Sequence, residues 1–114
     1  MTTPLHTELA AGRWRELTLA EQLGNIGSEV SRAMRWRERG NSQIWPAALD
    51  RLLELFDLTI ADRRWRHGLG ELTRAREVVC DFFAGDNVYG STPQNLQSYF
   101  DHFALVARQQ AGQS

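Results

Sequence analysis

Apolar residues recur at helical spacing in four stretches of this chain, and no stretch alternates with the period of two that a half-buried strand requires. Leu19, Leu23, Ile26, Val30 and Ala33 or Met34 form the first stripe. Thr18-Leu19-Ala20-Glu21 opens it with the pattern of a capping box, and Gly40-Asn41 closes it. Leu49, Leu52, Leu53, Phe56 and Ile60 form a second stripe behind Pro46, which suits the first turn of a helix. Leu69, Leu72, Val79 and Phe83 form a third, which Asp62 could cap, Gly68 and Gly70 interrupt early and Gly85 stops. Thr92-Pro93 sets a cap before a proline, and Leu96, Phe100, Phe103 and Ala107 supply the fourth. The pattern predicts helices over about 18–39, 46–60, 65–84 and 93–108, with residues 1–16 irregular and 109–114 frayed. With short connections these are the parts of an all-α, antiparallel up-and-down four-helix bundle.

Two glycines, Gly24 and Gly27, fall inside the first helix beside Ala20 and Ser31. Each costs about 1 kcal/mol against alanine, so the pair calls for a reason. Close approach of a neighbouring helix backbone is one; room for a ligand or partner is the other.

The length, 114 residues, fits one domain spanning 1–114. A net charge of −1, from 13 basic and 14 acidic residues, excludes a molecule that is attracted to nucleic acid or anionic lipid as a whole. Charge is nevertheless polarised. Residues 32–39 hold four Arg against one Glu, residues 63–76 five Arg against one Glu, and residues 77–107 four acids and no Lys or Arg. Every basic residue is arginine, an economy that a GC-rich genome explains without function. The lone Cys80 excludes an internal disulfide, fits a reducing cytosol and, among Val78, Val79 and Phe83, reads as a buried structural thiol. With no leader and no apolar run of membrane length, a cytoplasmic protein without membrane contact is expected. No cofactor or metal is expected: His6, His67 and His102 lack zinc spacing and no Glu-x-x-His pair exists. The acidic stripe Asp50, Glu54 and Asp57, and the polar face Glu21, Asn25, Ser28 and Arg32, read as solvated or ion-paired surfaces.

Three of the four tryptophans stand between arginines, as Arg13-Trp14-Arg15, Arg35-Trp36-Arg37 and Arg64-Trp65-Arg66. Arginine stacks on rings and clamps carboxylate or phosphate, and both residue types are enriched at binding hot spots. On an up-and-down bundle, Arg13, Trp14, Arg15, Arg63, Arg64, Trp65 and Arg66 gather at one end as the candidate binding surface. Asp62, Asp57 or Glu16 would neutralise it in a purely structural role. Arg35 and Arg37 fall at the other end, opposite the turn-rich segment Gly85–Thr92. There Asp86, Asn87 and Tyr89 are expected to tie loop to helix, with an Asp86 ion pair to Arg35 or Arg37.

The stretch Leu19 to Asn41, with Glu-Gln-Leu-Gly-Asn-Ile-Gly-Ser-Glu-Val at its centre, resembles a group of short bacterial helical proteins without an assigned activity; so do Asp57-Leu58-Thr59-Ile60 and Phe83 to Thr92. The resemblance implies a helical fold and a bacterial origin. More loosely, helix pattern and size are similar to the four-helix-bundle proteins of ribosomal intervening sequences, some of which form nucleic-acid-binding rings. Together these readings lead to a non-enzymatic interaction or adaptor protein that self-associates and contacts a protein, RNA or DNA through its Arg/Trp surface. A second reading takes Arg63 and His67, which resemble the arginine-to-histidine motif of HEPN ribonucleases and toxins though with fewer residues between them. Arg63 would then steady a phosphate and His67 serve as general acid or base. A third is a purely structural oligomer.

Overall fold

The computed structural model describes residues 12–112, with side chains through 109. Among these residues the fold is all-helical, without strands. After a helical turn through 12–14, four helices follow: α1 (Leu19–Glu38), α2 (Ile44–Ile60), α3 (Leu69–Ala84) and α4 (Pro93–Gly112). A 3-10 segment, Arg63–Gly68, joins α2 to α3. α1 is the central element and packs along both α2 and α4, while α3 packs on α2 and shares the core with α1 and α4.

The ends of α1 follow from its sequence. The Thr18 hydroxyl accepts from the Glu21 amide at 3.1 Å, and Glu21 Oε1 accepts from the Thr18 amide at 2.9 Å, closing the capping box. At the other end Gly40, at φ 72°, donates to Arg37 O, and the Asn41 amide donates to Trp36 O. That is a Schellman stop, which needs a residue free to turn left-handed. Asn41 then starts α2, its side chain accepting from the amides of Gln43 and Ile44.

The predicted stripes form the core. Leu23, Ile26, Val30, Leu52, Phe56, Leu72, Val79, Leu96 and Phe100 are buried. Phe56 of α2 and Phe100 of α4 meet at 5.9 Å between ring centroids, and complete burial of each ring contributes about 2–3 kcal/mol. Gly27 lets α4 approach: a Cβ there would sit 3.3 Å from Phe100 Cβ. Gly24 differs, with nothing within 4 Å of its own Cβ position, so helix approach accounts for one glycine of the pair and nothing in the structure explains the other.

Several boundaries are corrected. The third helix begins at Leu69 rather than 65, because Trp65 takes non-helical angles (φ −104°, ψ 16°) that leave Arg63–Gly68 as 3-10 turns. The last helix continues to Gly112, through residues 109–112 expected to fray, and 113–114 lie outside the described residues. Within the segment expected to be irregular, 12–14 form a helical turn; residues 1–11, including His6, lie outside the described residues. Cys80 is half-buried, with an Arg76 N–H directed at its sulfur over 3.8 Å. No described helix is long and apolar enough to cross a membrane.

Candidate functional site

Trp14 and Trp65 come together through one polar chain. Trp65 Nε1 donates to Gln22 Oε1 at 2.8 Å, Gln22 Nε2 donates to Trp14 O at 2.9 Å, and Trp14 Nε1 donates to the Thr59 hydroxyl at 3.0 Å. The Thr59 hydroxyl in turn donates to Leu55 O within α2. Four segments are thereby fastened side by side: the 12–17 lead-in, α1, α2 and the 3-10 turn. Gln22 and Thr59 are fully buried, so their polar side-chain atoms depend on protein partners.

Arg64 completes the frame. Its guanidinium grips Asp62 through Nε (3.0 Å to Oδ1) and Nη2 (2.6 Å to Oδ2), donates to Leu17 O at 2.9 Å, and lies 4.3 Å from the centroid of Trp65. Asp62 also accepts from the Arg64 amide, capping the 3-10 segment. The Arg64 hydrogen bonds hold the Asp62 carboxyl below the usual aspartate range, against the opposing effect of burial. The same pair raises the Arg64 guanidinium.

The candidate surface thus divides by role. Trp14 is buried, Trp65 half-buried and Arg64 committed to Asp62 and Leu17, so these three hold the fold together. Arg13, Arg15, Arg63 and Arg66 are exposed and form no ion pair among the described residues. Arg15 and Arg63 line a common depression of about 280 Å³ with Ala61 and Asp62. Asp57, a second proposed neutraliser, pairs with Arg76 instead, at 2.9 Å. His67 is exposed and shares no hydrogen bond with Arg63. In a 3-10 segment of three residues per turn, positions four apart point about a third of a turn away from each other.

At the other end of α1 the expected Asp86 ion pair does not form. Arg37 instead donates to Phe82 O at 2.9 Å and lies over Trp45, Phe82 and Phe83, at 5.5, 5.2 and 5.6 Å from their centroids. The carbonyl at the C-terminal end of α3 takes one guanidinium nitrogen and three rings hold the group in place, which leaves its other N–H donors without a carboxylate among the described residues. Arg35 is exposed without an ion pair among the described residues. Asn87 and Tyr89 do tie the loop. Asn87, at φ 53°, exchanges two hydrogen bonds with Ser91 through its side chain, and the Tyr89 hydroxyl reaches Glu77 at 3.4 Å. The acid that organises the loop is Asp81, whose carboxylate accepts from the amides of Val88 (2.9 Å) and Tyr89 (3.0 Å).

Gln22, Thr59 and Asp81 carry these sites and have no sequence signature. Gln22 adjoins the apolar stripe at Leu23, and a polar residue at a core-facing position is the one hint it offers. Among the described residues no group of three or more His, Cys, Asp or Glu is placed to hold a metal ion. Compared with protein-family profiles, curated proteins and solved structures, the chain matches none.

Proposed function

We propose that this chain is a non-enzymatic helical-bundle interaction protein whose arginine end contacts an anionic partner, with a nucleic-acid backbone as the partner these residue types fit. The observation that carries the reading is the exposure of Arg13, Arg15, Arg63 and Arg66, without ion pairs among the described residues, on a frame fixed by Gln22 and Arg64. Arginine forks held on a rigid base lose little freedom when they close on phosphate oxygens. Base stacking has little place in the reading, because Trp14 is buried and Trp65 is covered by Arg64. Contact is therefore proposed through phosphates and without sequence preference.

The same proposal takes the helices as an up-and-down bundle that self-associates in a bacterial cytoplasm. The close packing of α1 on α2 across the short 39–43 turn supports that topology. The test is binding of labelled RNA and DNA duplexes by fluorescence anisotropy across a salt series, with light scattering to fix the oligomer. Four phosphate contacts give a slope of log affinity against log salt of roughly −3 to −4, and replacing the four arginines by glutamine abolishes it. Affinity indifferent to salt or to that replacement overturns the nucleic-acid reading. The purely structural oligomer would then be left.

A further inference from the structure

At the far end of α1, an open cleft of about 490 Å³ lies between that helix and the start of the 85–92 loop. The twenty residues of α1 rise about 30 Å, so this cleft is remote from the arginine end. Its volume is in the range of small-molecule sites, and Met34, Phe82 and Pro93 give it an apolar lining. Its charges are Arg37, Glu38 and Asp86.

Arg37 is preorganised, held by the Phe82 carbonyl and three aromatic rings. Glu38 and Asp86 are exposed and unpaired among the described residues. Each stands where a helix makes it unwelcome: Glu38 is the last residue of α1, and Asp86 follows the Gly85 cap of α3. A helix C-terminus carries partial negative charge, so both carboxylates lie against a dipole with no internal cation closing on them. One cleft therefore holds charges of both signs that do not reach each other.

We infer that this cleft binds a zwitterionic small molecule with an apolar body, the chemistry of an apolar α-amino acid. The ligand carboxylate meets Arg37, its ammonium group meets Asp86 and Glu38, and its side chain lies against Met34, Phe82 and Pro93. A simple cation would leave Arg37 without an anion. A simple anion would leave both acids unmatched.

The test is titration of the ¹⁵N-labelled protein with L-leucine, L-leucine methyl ester, which keeps only the cation, and N-acetyl-L-leucine, which keeps only the anion. Leucine is expected to give saturable shifts at the amides of Gly85, Asp86 and Asn87, with each singly charged analogue about fivefold weaker. Asp86→Asn removes a carboxylate that makes no ion pair among the described residues, so the fold is kept and leucine affinity drops about fivefold. Asp50→Asn, on the exposed face of α2, leaves it unchanged. Absence of saturable shifts, equal binding of either analogue, or an unaltered Asp86→Asn overturns the inference. The salt series at the arginine end is independent of every one of these results.

Discussion

Replacing Gln22 by leucine tests whether the buried polar chain holds the lead-in segment and the 3-10 turn against the bundle. Gln22 is fully buried and makes two hydrogen bonds, one to Trp14 O and one from Trp65 Nε1. The two losses are unequal. Trp14 O keeps the Leu17 amide as a second donor at 3.1 Å, so its loss is about 0.5–1 kcal/mol. Trp65 Nε1 has no other partner among the described residues, and an orphaned donor costs about 1–3 kcal/mol. Leucine recovers roughly 1 kcal/mol by burying apolar surface of similar volume. The net expectation is a loss of about 2 kcal/mol, or roughly 8 °C in melting temperature for a domain of this size. Urea unfolding followed by circular dichroism measures it. The cycle with Trp65→Phe isolates the pair, with an expected coupling of about 1 kcal/mol. A loss under about 0.5 kcal/mol, or additivity of the two substitutions within about 0.3 kcal/mol, refutes the chain as a stabilising element.

Two further outcomes follow from neighbouring features. Gly24→Ala stabilises by about 0.5–1 kcal/mol, since an exposed helical position with open space gains propensity alone. Gly27→Ala instead gains nothing or loses about 1–2 kcal/mol against Phe100, and equal urea midpoints for the two variants would contradict the packing. The Asp62 carboxyl is lowered in the folded state, so the stability it gives is complete above its unfolded pKa, near 3.9, and is lost as pH falls through the folded value. Asp62→Asn should therefore be less stable than the native chain at neutral pH, with the gap narrowing below about pH 4; a gap independent of pH argues against the Arg64 pairing.

Much of the fold was legible because each helix carries its own apolar period and its own punctuation. The Thr18 cap, the Gly40 stop and the Thr92 start are local chemistry, and each is formed as the sequence implies: Thr92 and Asn95 exchange the same reciprocal bonds as Thr18 and Glu21. Less legible was the start of α3. Gly68 and Gly70 weaken helical propensity there, while Trp65 is drawn to Gln22, 43 residues away in sequence. That contact, absent from any local pattern, falls within the 3-10 turns that precede the α-helix. Asp81 was missed for a related reason: inside α3 it reads as one more exposed acid, and its role depends on the loop folding back over it.

The Arg-Trp-Arg triplets show why the composition misled about the tryptophans and informed about the arginines. Successive residues in helical or 3-10 turns point about 100–120° apart, so a ring turned inward, as at Trp14 and Trp65, leaves its two flanking arginines on either side of it. Whether a flanking arginine is then consumed depends on what the fold places beside it. Phe82 O and three rings hold Arg37 against the end of α3, and Asp62 with Leu17 O takes Arg64. The triplet around Trp14 meets no such neighbour: Arg13 and Arg15 remain exposed, joined by Arg63 and Arg66 from the segment that the Gln22 chain draws alongside. The tryptophans are therefore the means by which Arg15 and Arg63, from two distant stretches of chain, come to line one depression. A binding defect from Gln22→Leu at temperatures where that variant is still folded would tie the buried chain to the charged surface it supports.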